Sequence, residues 1–286
     1  MAVTLSPILE ADLPRVAGFL HRELNSRLSP EAWAAAMRVP WTVDAPNAGM
    51  KLESDGEVVG AYLAFYSQRE VDGVPERFCN LGAWCVLPEF RFSGLRLLKA
   101  LLDQPGYHFT DLSPSGSVVP LNQRLGFEFL PTGTALLPNL PWPTVPGRFR
   151  VSGDPAVIEA RLTGEALRRY RDHAGAAAAR HLVVSERGGQ ACHVVFRRDR
   201  RKNLPLFATI LYVSQPELFA RAWPAVSRHL LLRHGLPVTL ADIHVVGAAP
   251  RASVVLAAHR RKMYRSSSLK PDQIDYLYSE LVCVPW

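Results

Sequence analysis

The chain has little cysteine, no long apolar run and none of the common nucleotide or hydrolase signatures. Only four of its 286 residues are cysteine, and Cys79, Cys85, Cys192 and Cys283 include no C-x-x-C pair. Neither a disulfide framework nor a zinc site is signalled, and buried free thiols are expected. The longest nearly unbroken apolar stretch, Leu204 to Val213, is well short of the roughly 18 to 20 residues that a spanning helix needs. Glu10 and Asp12 stand where a secretory leader would place its apolar segment. These absences predict a cytoplasmic protein with no membrane span. No G-x-x-x-x-G-K-[ST], G-x-G-x-x-G, H-E-x-x-H or G-x-S-x-G occurs, so nucleotide hydrolases, nicotinamide enzymes, zincins and serine hydrolases lose support and no metal is expected.

What is present is ordinary globular usage, 48% apolar and 21% charged, enough for two domains at about 150 residues each. The net charge of +7 is unevenly spread. Residues 1–143 carry 11 Lys/Arg against 15 Asp/Glu, and residues 144–286 carry 22 against 11, which makes −4 and +11. A basic half suits an anionic partner: a phosphate-bearing cosubstrate, an acyl carrier protein docking on Arg260–Arg265, a nucleic acid or a lipid surface. Nucleic acid is the least favoured of these, because few aromatics interleave the basic clusters and no recognition-helix motif is present. The run Arg197 to Asn203, between two strand-like segments, reads as a solvated hairpin tip.

Along the chain, residues 3–9 suit a strand, and Asp12 can cap a helix with Leu13, Val16, Ala17, Leu20 and Leu24 on one face. Pro30 to Met37 suits a helix with proline at its first position. Met50–Glu53, Glu57–Gln68 and Glu76–Val86 suit strands joined by turn sequences containing Asp55-Gly56 and Asp72-Gly73. Helical spacing returns at Gly94–Leu102, followed by a strand at Tyr107–Leu112, a helical turn at Ser117–Leu125 and a strand from Phe127 to Leu130. Six of the 23 prolines lie between Pro131 and Pro155, Pro146 among them, which suits a stiff connector. Beyond it the order repeats at an offset of about 131 residues, as in Asp111 and Asp242. The expected division is therefore residues 1–137, a Pro-rich linker at 138–155, and residues 156–286. Ser266–Asp272 reads as a loop entering a helix, with Ile274, Leu277 and Tyr278 on one face.

The stretch from Trp84 to Leu98, Trp-Cys-Val-Leu-Pro-Glu-Phe-Arg-Phe-Ser-Gly-Leu-Arg-Leu-Leu, is the most specific in the sequence. With the strands before it and Leu125-Gly126-Phe127 after it, it resembles the GNAT superfamily of acyl-CoA N-acyltransferases. In that family a strand ending in V-x-P leads into a basic, glycine-containing loop that opens a helix. The physical basis is general: the first turn of a helix has unpartnered N–H groups and partial positive charge, and can cradle a pyrophosphate.

The resemblance implies an α/β fold of two tandem domains, each a mixed, mainly antiparallel sheet flanked by helices, the second copy degenerate. It implies an acyltransferase that moves an acetyl or longer acyl group from acetyl-CoA, another acyl-CoA or an acyl carrier protein to a small-molecule amine. Cys85, Val86, Arg91, Phe92, Ser93, Gly94, Leu95 and Arg96 would meet the cosubstrate, with a bulge or splay after Trp84 freeing main-chain groups for the pantetheine and the developing oxyanion. Arg96 stands where the family has glycine or alanine, so it either clamps a phosphate or obstructs the pyrophosphate. Asn122 stands where many members have an acidic tyrosine, and an amide cannot act as a general acid. Asp111, Ser113 and Ser115 are candidates for substrate or water contact, and Glu76 and Tyr66 for a general base. The helix expected after Gln215 has no glycine loop before it, so the second half would complete the acceptor cleft or recognise a partner. These departures also admit a second reading, a non-catalytic acyl-CoA or protein-binding module derived from a duplication.

Overall fold

A computed structural model of the chain describes every residue except 1, 144, 146, 202, 203, 251, 252, 258 and 259. The chain runs through β1 (Thr4–Pro7), α1 (Leu13–Glu23), α2 (Pro30–Met37), β2 (Gly49–Ser54), β3 (Glu57–Val71), β4 (Val74–Val86), α3 (Arg91–Leu102), β5 (His108–Asp111), α4 (Val119–Arg124) and β6 (Glu128–Phe129). Local chemistry accounts for these elements. The Ser29 hydroxyl accepts from the Ala32 N–H and caps α2, with Pro30 at its first position. Asp55-Gly56 and Asp72-Gly73 all have positive φ, the conformation that a two-residue hairpin turn demands. They set the registers Ser54↔Glu57 and Val71↔Val74.

Next come β7 (Thr134–Pro138), β8 (Phe149–Ser152), α5 (Pro155–Arg161), α6 (Gly164–His173), β9 (Arg180–Glu186), β10 (Ala191–Arg201), β11 (Leu204–Val213), α7 (Pro216–His234), β12 (Val238–Asp242), α8 (Ile243–Val246) and β13 (Val254–Val255), then β14 (Met263–Arg265) and α9 (Glu280–Cys283). Two mixed sheets of seven strands result, in the orders β1-β2-β3-β4-β5-β14-β6 and β13-β7-β12-β11-β10-β9-β8. Each contains three successive antiparallel strands whose last pairs in parallel with the strand after a long helix, β4 with β5 and β11 with β12. No helix among the described residues is long and apolar enough to cross a membrane.

The division differs from the one expected at residues 137 and 155. One unit comprises Met1–Leu130, Arg260–Ile274 and Tyr278–Trp286, and the other Pro131–His259 and Asp275–Leu277. Strand pairing is the reason. β14 lies between β5 and β6 in the first sheet, while β7 lies between β12 and β13 in the second. The proline-rich stretch likewise contributes β8, an edge strand on which proline-flanked residues need no second ladder; Pro146 lies outside the described residues. The segment after Pro271 makes a single 3-10 turn at Pro271–Gln273, and the only later helix is α9. Of the basic hairpin tip, Arg197 is buried, Arg198 and Arg200 are exposed, and Lys202 and Asn203 lie outside the described residues.

In the first sheet, β4 pairs with β5 over only three positions, Phe78↔His108, Cys79↔Phe109 and Asn80↔Thr110. Beyond Asn80 the two strands part. There β4 also bulges: Ala61 pairs with Cys85 and Leu63 with Gly82, so Ala83 and Trp84 together oppose Tyr62. Ala83 takes φ 55°, a left-handed conformation costing an L-residue about 1–2 kcal/mol. The Trp84 ring stacks on Tyr62 at 4.8 Å. One face of the sheet carries α3, with Tyr62, Leu81, Leu97, Leu98, Leu101 and Phe109 in its core. The alternate residues Asn80 and Gly82 face the other side, where α9 packs on β4.

Two glycines on β4 and α3 differ in what a methyl group would meet. A Cβ on Gly82 would lie 2.9 Å from Glu280 Cβ, whereas one on Gly94 would lie 3.4 Å from Val86 Cγ2 and 3.7 Å from the Trp84 ring. Gly82→Ala is therefore expected to cost about 1–3 kcal/mol by chemical denaturation. Gly94→Ala, inside a helix, is expected to be neutral or stabilising by up to about 1 kcal/mol. Removing residues 260–286 takes β14 from between β5 and β6, and calorimetry should then show loss of the first unit's cooperative transition.

Candidate functional site

The strand opening in the first unit gathers buried polar groups from four separate stretches of chain. Asp111, at the end of β5, accepts from Asn122 Nδ2 at 2.9 Å; the Tyr62 hydroxyl and the Ser113 backbone also bond its carboxylate. Asn80, the last β4 residue paired with β5, donates to Thr110 Oγ1 at 3.1 Å and accepts from the Glu280 N–H at 2.9 Å. Ser113 Oγ donates to Glu280 Oε1 at 2.7 Å. Side-chain alternation puts Asp111 on the α3 face with Phe109, and Glu280 on the opposite face with Asn80 and Gly82. Ser113 is thus the link between two carboxyl groups on opposite sides of one gap.

The electrostatics follow from burial. Asp111 is pushed up to about 6 by desolvation, against the bonds from Asn122, Ser113 and Tyr62 that favour its charged form. Glu280 is pushed up to about 7, first by complete burial, opposed by the Ser113 bond and reinforced by the negative charge of Asp111. Two acceptor atoms receive no hydrogen bond from the protein, Glu280 Oε2 and Asn122 Oδ1. Both residues have no exposed surface. Buried acceptors of this kind call for a donor.

The cofactor-side candidates line the α3 end of the same opening. Val86 pairs with Gly60, the Leu87 N–H bonds Val59 O at 2.9 Å, and a 3-10 turn at Pro88–Phe90 delivers the chain into α3. No side chain caps the first turn of α3. Arg91 and Phe92 are exposed there, Ser93 and Leu95 half-buried, and Gly94 buried against Val86 and Trp84. Gly94 therefore serves close packing of α3 on β4. The alternatives left open for Arg96 resolve away from the loop, since Arg96 Nη1 donates to the Val3 carbonyl at 3.1 Å. Cys85 is half-buried just after the bulge, its thiol pushed up to about 11 by burial.

Asn122, Asp111 and Ser113 thus come together, but Glu76 does not join them. Its carboxylate bonds His108 Nε2 at 2.9 Å, and His108 Nδ1 meets Ser266 Oγ at 2.8 Å. Four residues of extended strand, about 13 Å, separate Glu76 from Asn80. The Tyr66 hydroxyl is engaged by Asn47 and Gln104. Sequence reasoning missed Tyr62, Asn80 and Glu280. Only β-alternation opposite the bulge could have marked Tyr62, and nothing local marks Glu280, which lies 169 positions after Asp111.

The second unit treats the corresponding place differently. Asp242, at the end of β12, accepts from the Tyr276 hydroxyl at 2.8 Å and from the His244 N–H at 3.1 Å. Before α7, Ser214 Oγ accepts from His193 N, and Gln215 Nε2 donates to Ala191 O. A cavity of about 420 Å³ adjoins this loop, and three of its polar lining groups, Glu165, Ser214 and Gln215, are engaged within the unit.

No protein family and no curated protein matches the chain in sequence. Solved structures do match in shape. A GCN5-related N-acetyltransferase from Anabaena variabilis superposes with a TM-score of 0.60 at 11% identity, over 92% of this chain and 72% of that one. A GCN5-related N-acetyltransferase from Kribbella flavida gives 0.56 at 17%, over 92% and 72%. At such identities the likeness concerns architecture alone. The chain has the GCN5-related N-acetyltransferase fold, with a sheet of that type in each of its two units.

Proposed function

We propose that the first unit transfers an acyl group from an acyl-CoA thioester to a primary amine. The observation that carries this reading is the parting of β4 from β5 at a bulge, directly ahead of a helix whose first turn no side chain caps. A strand edge freed between Leu81 and Val86 presents main-chain donors and acceptors in the spacing of a further strand, which the two amides of pantetheine can satisfy. The start of α3, where the Arg91 N–H already goes to Pro88 O and no side chain caps the turn, then suits a diphosphate through its partial positive charge and the Arg91 side chain. The fit is not obstructed from Arg96, which is turned to Val3.

The chemistry asked of the residues is modest. Holding amine and thioester at one gap supplies most of the acceleration. Main-chain N–H groups at the bulge suit the charge that builds on the carbonyl oxygen. Asn122 orients through its bond to Asp111 and donates no acidic proton, and the leaving thiolate needs no acid from the protein because a thiol is acidic enough near neutrality. The second unit reads as a copy that has lost the cradle: its aspartate is closed by Tyr276, and its helix follows Ser214-Gln215-Pro216 without glycine. The non-catalytic alternative draws on one observation, the amide at 122.

Isothermal titration should give one acetyl-CoA per chain, and Arg91→Ala should weaken binding by about fivefold, an exposed cation on a phosphate being worth about 1 kcal/mol. Absence of binding to acetyl-CoA and to longer acyl-CoAs would sink the reading. Binding without amine-dependent thiol release across a broad amine panel would leave the non-catalytic alternative in its place.

A further inference from the structure

Glu280 stands in the opening without a full set of partners. Its backbone N–H is fixed on Asn80 and its Oε1 on Ser113, from the two strands that part there, and its Cβ and Cγ rest on Gly82 next to the bulge. This leaves Oε2, buried and free of hydrogen bonds from the protein, as the remaining polar atom of the side chain. The opposite face is the one that carries α3 and the loop suited to the thioester. Oε2 lies on the face of β4 away from α3 and has no exposed surface, so an amine would reach it through the gap where β4 and β5 part.

We propose that Glu280, carried into the first unit by residues 278–286, is the group that takes the proton from the attacking ammonium. The inference rests on the acyl-transfer reading above. Oε2 of the ionised carboxylate accepts a proton from R–NH3+, leaving R–NH2. The nitrogen lone pair forms the C–N bond as the C–S bond breaks, the second nitrogen proton goes to the departing thiolate, and Glu280 returns its proton to solvent.

The surroundings poise the group. The titratable side chains facing it are Asp111 on β5, Tyr62 on β3 and Cys283 in its own turn. β4 offers it Asn80 and Gly82, and α2, which packs on the same turn, carries the buried Trp33 and the exposed Glu31. Burial and the Asp111 charge hold the carboxyl near neutrality, where a general base is most effective. Because the pKa is raised, the working, charged form is lost as pH falls through about 7. Rate should therefore climb from pH 6 to pH 8.

The test measures acetyl-CoA binding by calorimetry and amine-dependent thiol release from pH 5.5 to 9, for the full chain, Glu280→Gln and Ser113→Ala. Glu280→Gln should bind acetyl-CoA within about twofold of wild type, lose at least about 100-fold in kcat, and lose the climb near pH 7. Should that variant fold poorly in a thermal melt, Ser113→Ala decides. It removes a bond that favours the charged carboxylate, so the climb must move to higher pH. Unchanged kcat and pH profile in Glu280→Gln, or an unmoved climb in Ser113→Ala, overturns the assignment of Glu280 while leaving acyl transfer standing. A wild-type chain that binds no acyl-CoA overturns both.

Discussion

Three pairs of residues decide the character of the first unit. Phe78↔His108, Cys79↔Phe109 and Asn80↔Thr110 are the whole of the parallel ladder between β4 and β5, and everything beyond them is a gap in the middle of a sheet. A central gap is costly, because buried main-chain and side-chain polar groups need partners. The protein meets part of that need with Asn122 on Asp111, Ser113 on Glu280 and Asn80 on both Thr110 and the Glu280 backbone. Glu280 Oε2 and Asn122 Oδ1 are left without a hydrogen bond from the protein. The bulge at Ala83 turns the strand away from β5 at the cost of a strained φ, and strain kept inside a well-packed sheet is typical of sites that act on something.

The second unit has the same strand order and the same parallel step from β11 to β12, yet the carboxyl at the end of that step is partnered within the unit. Tyr276 satisfies Asp242, and Arg169 pairs with both Asp275 and Glu165. Desolvation drives His181 down to about 4 and His193 down to about 3, so this unit's buried imidazoles are neutral at physiological pH. One architecture thus carries different side chains on the aspartate that ends its parallel step, Asn122 in one unit and Tyr276 in the other, which is how a shared fold separates from a shared activity.

Much of the fold was legible because its signals are local. The Asp-Gly turns determined two hairpins through their need for positive φ, Pro30 and Ser29 opened α2, and the apolar spacing of Leu95, Leu98 and Leu102 placed α3. The turn from Leu87 into a helix was legible too, although α3 already starts at Arg91, so that Arg91 to Gly94 are helical and not a loop, Gly94 serves helix packing and Arg96 turns elsewhere. Domain bounds were not legible, because β7 and β14 each pair with strands distant in the sequence, and no periodicity records which sheet a short strand joins. Glu280 was hidden for the same reason. In sequence it is one acid before Leu-Val-Cys, and only the return of residues 278–286 to the first unit places it opposite Asp111. Glu76 attracted attention by its position ahead of the loop, and His108 holds it at the far end of the ladder.

The central claim is that a thioester lies along the free edge of β4. Hydrogen–deuterium exchange on the full chain, with and without saturating acetyl-CoA, addresses it at the level of the backbone. The account predicts slowed exchange confined to peptides covering residues 81–95 and 111–113, where the strand edge, the bulge and the first turn of α3 would gain partners. Unchanged exchange in those peptides, or protection confined to the loop before α7, would contradict it.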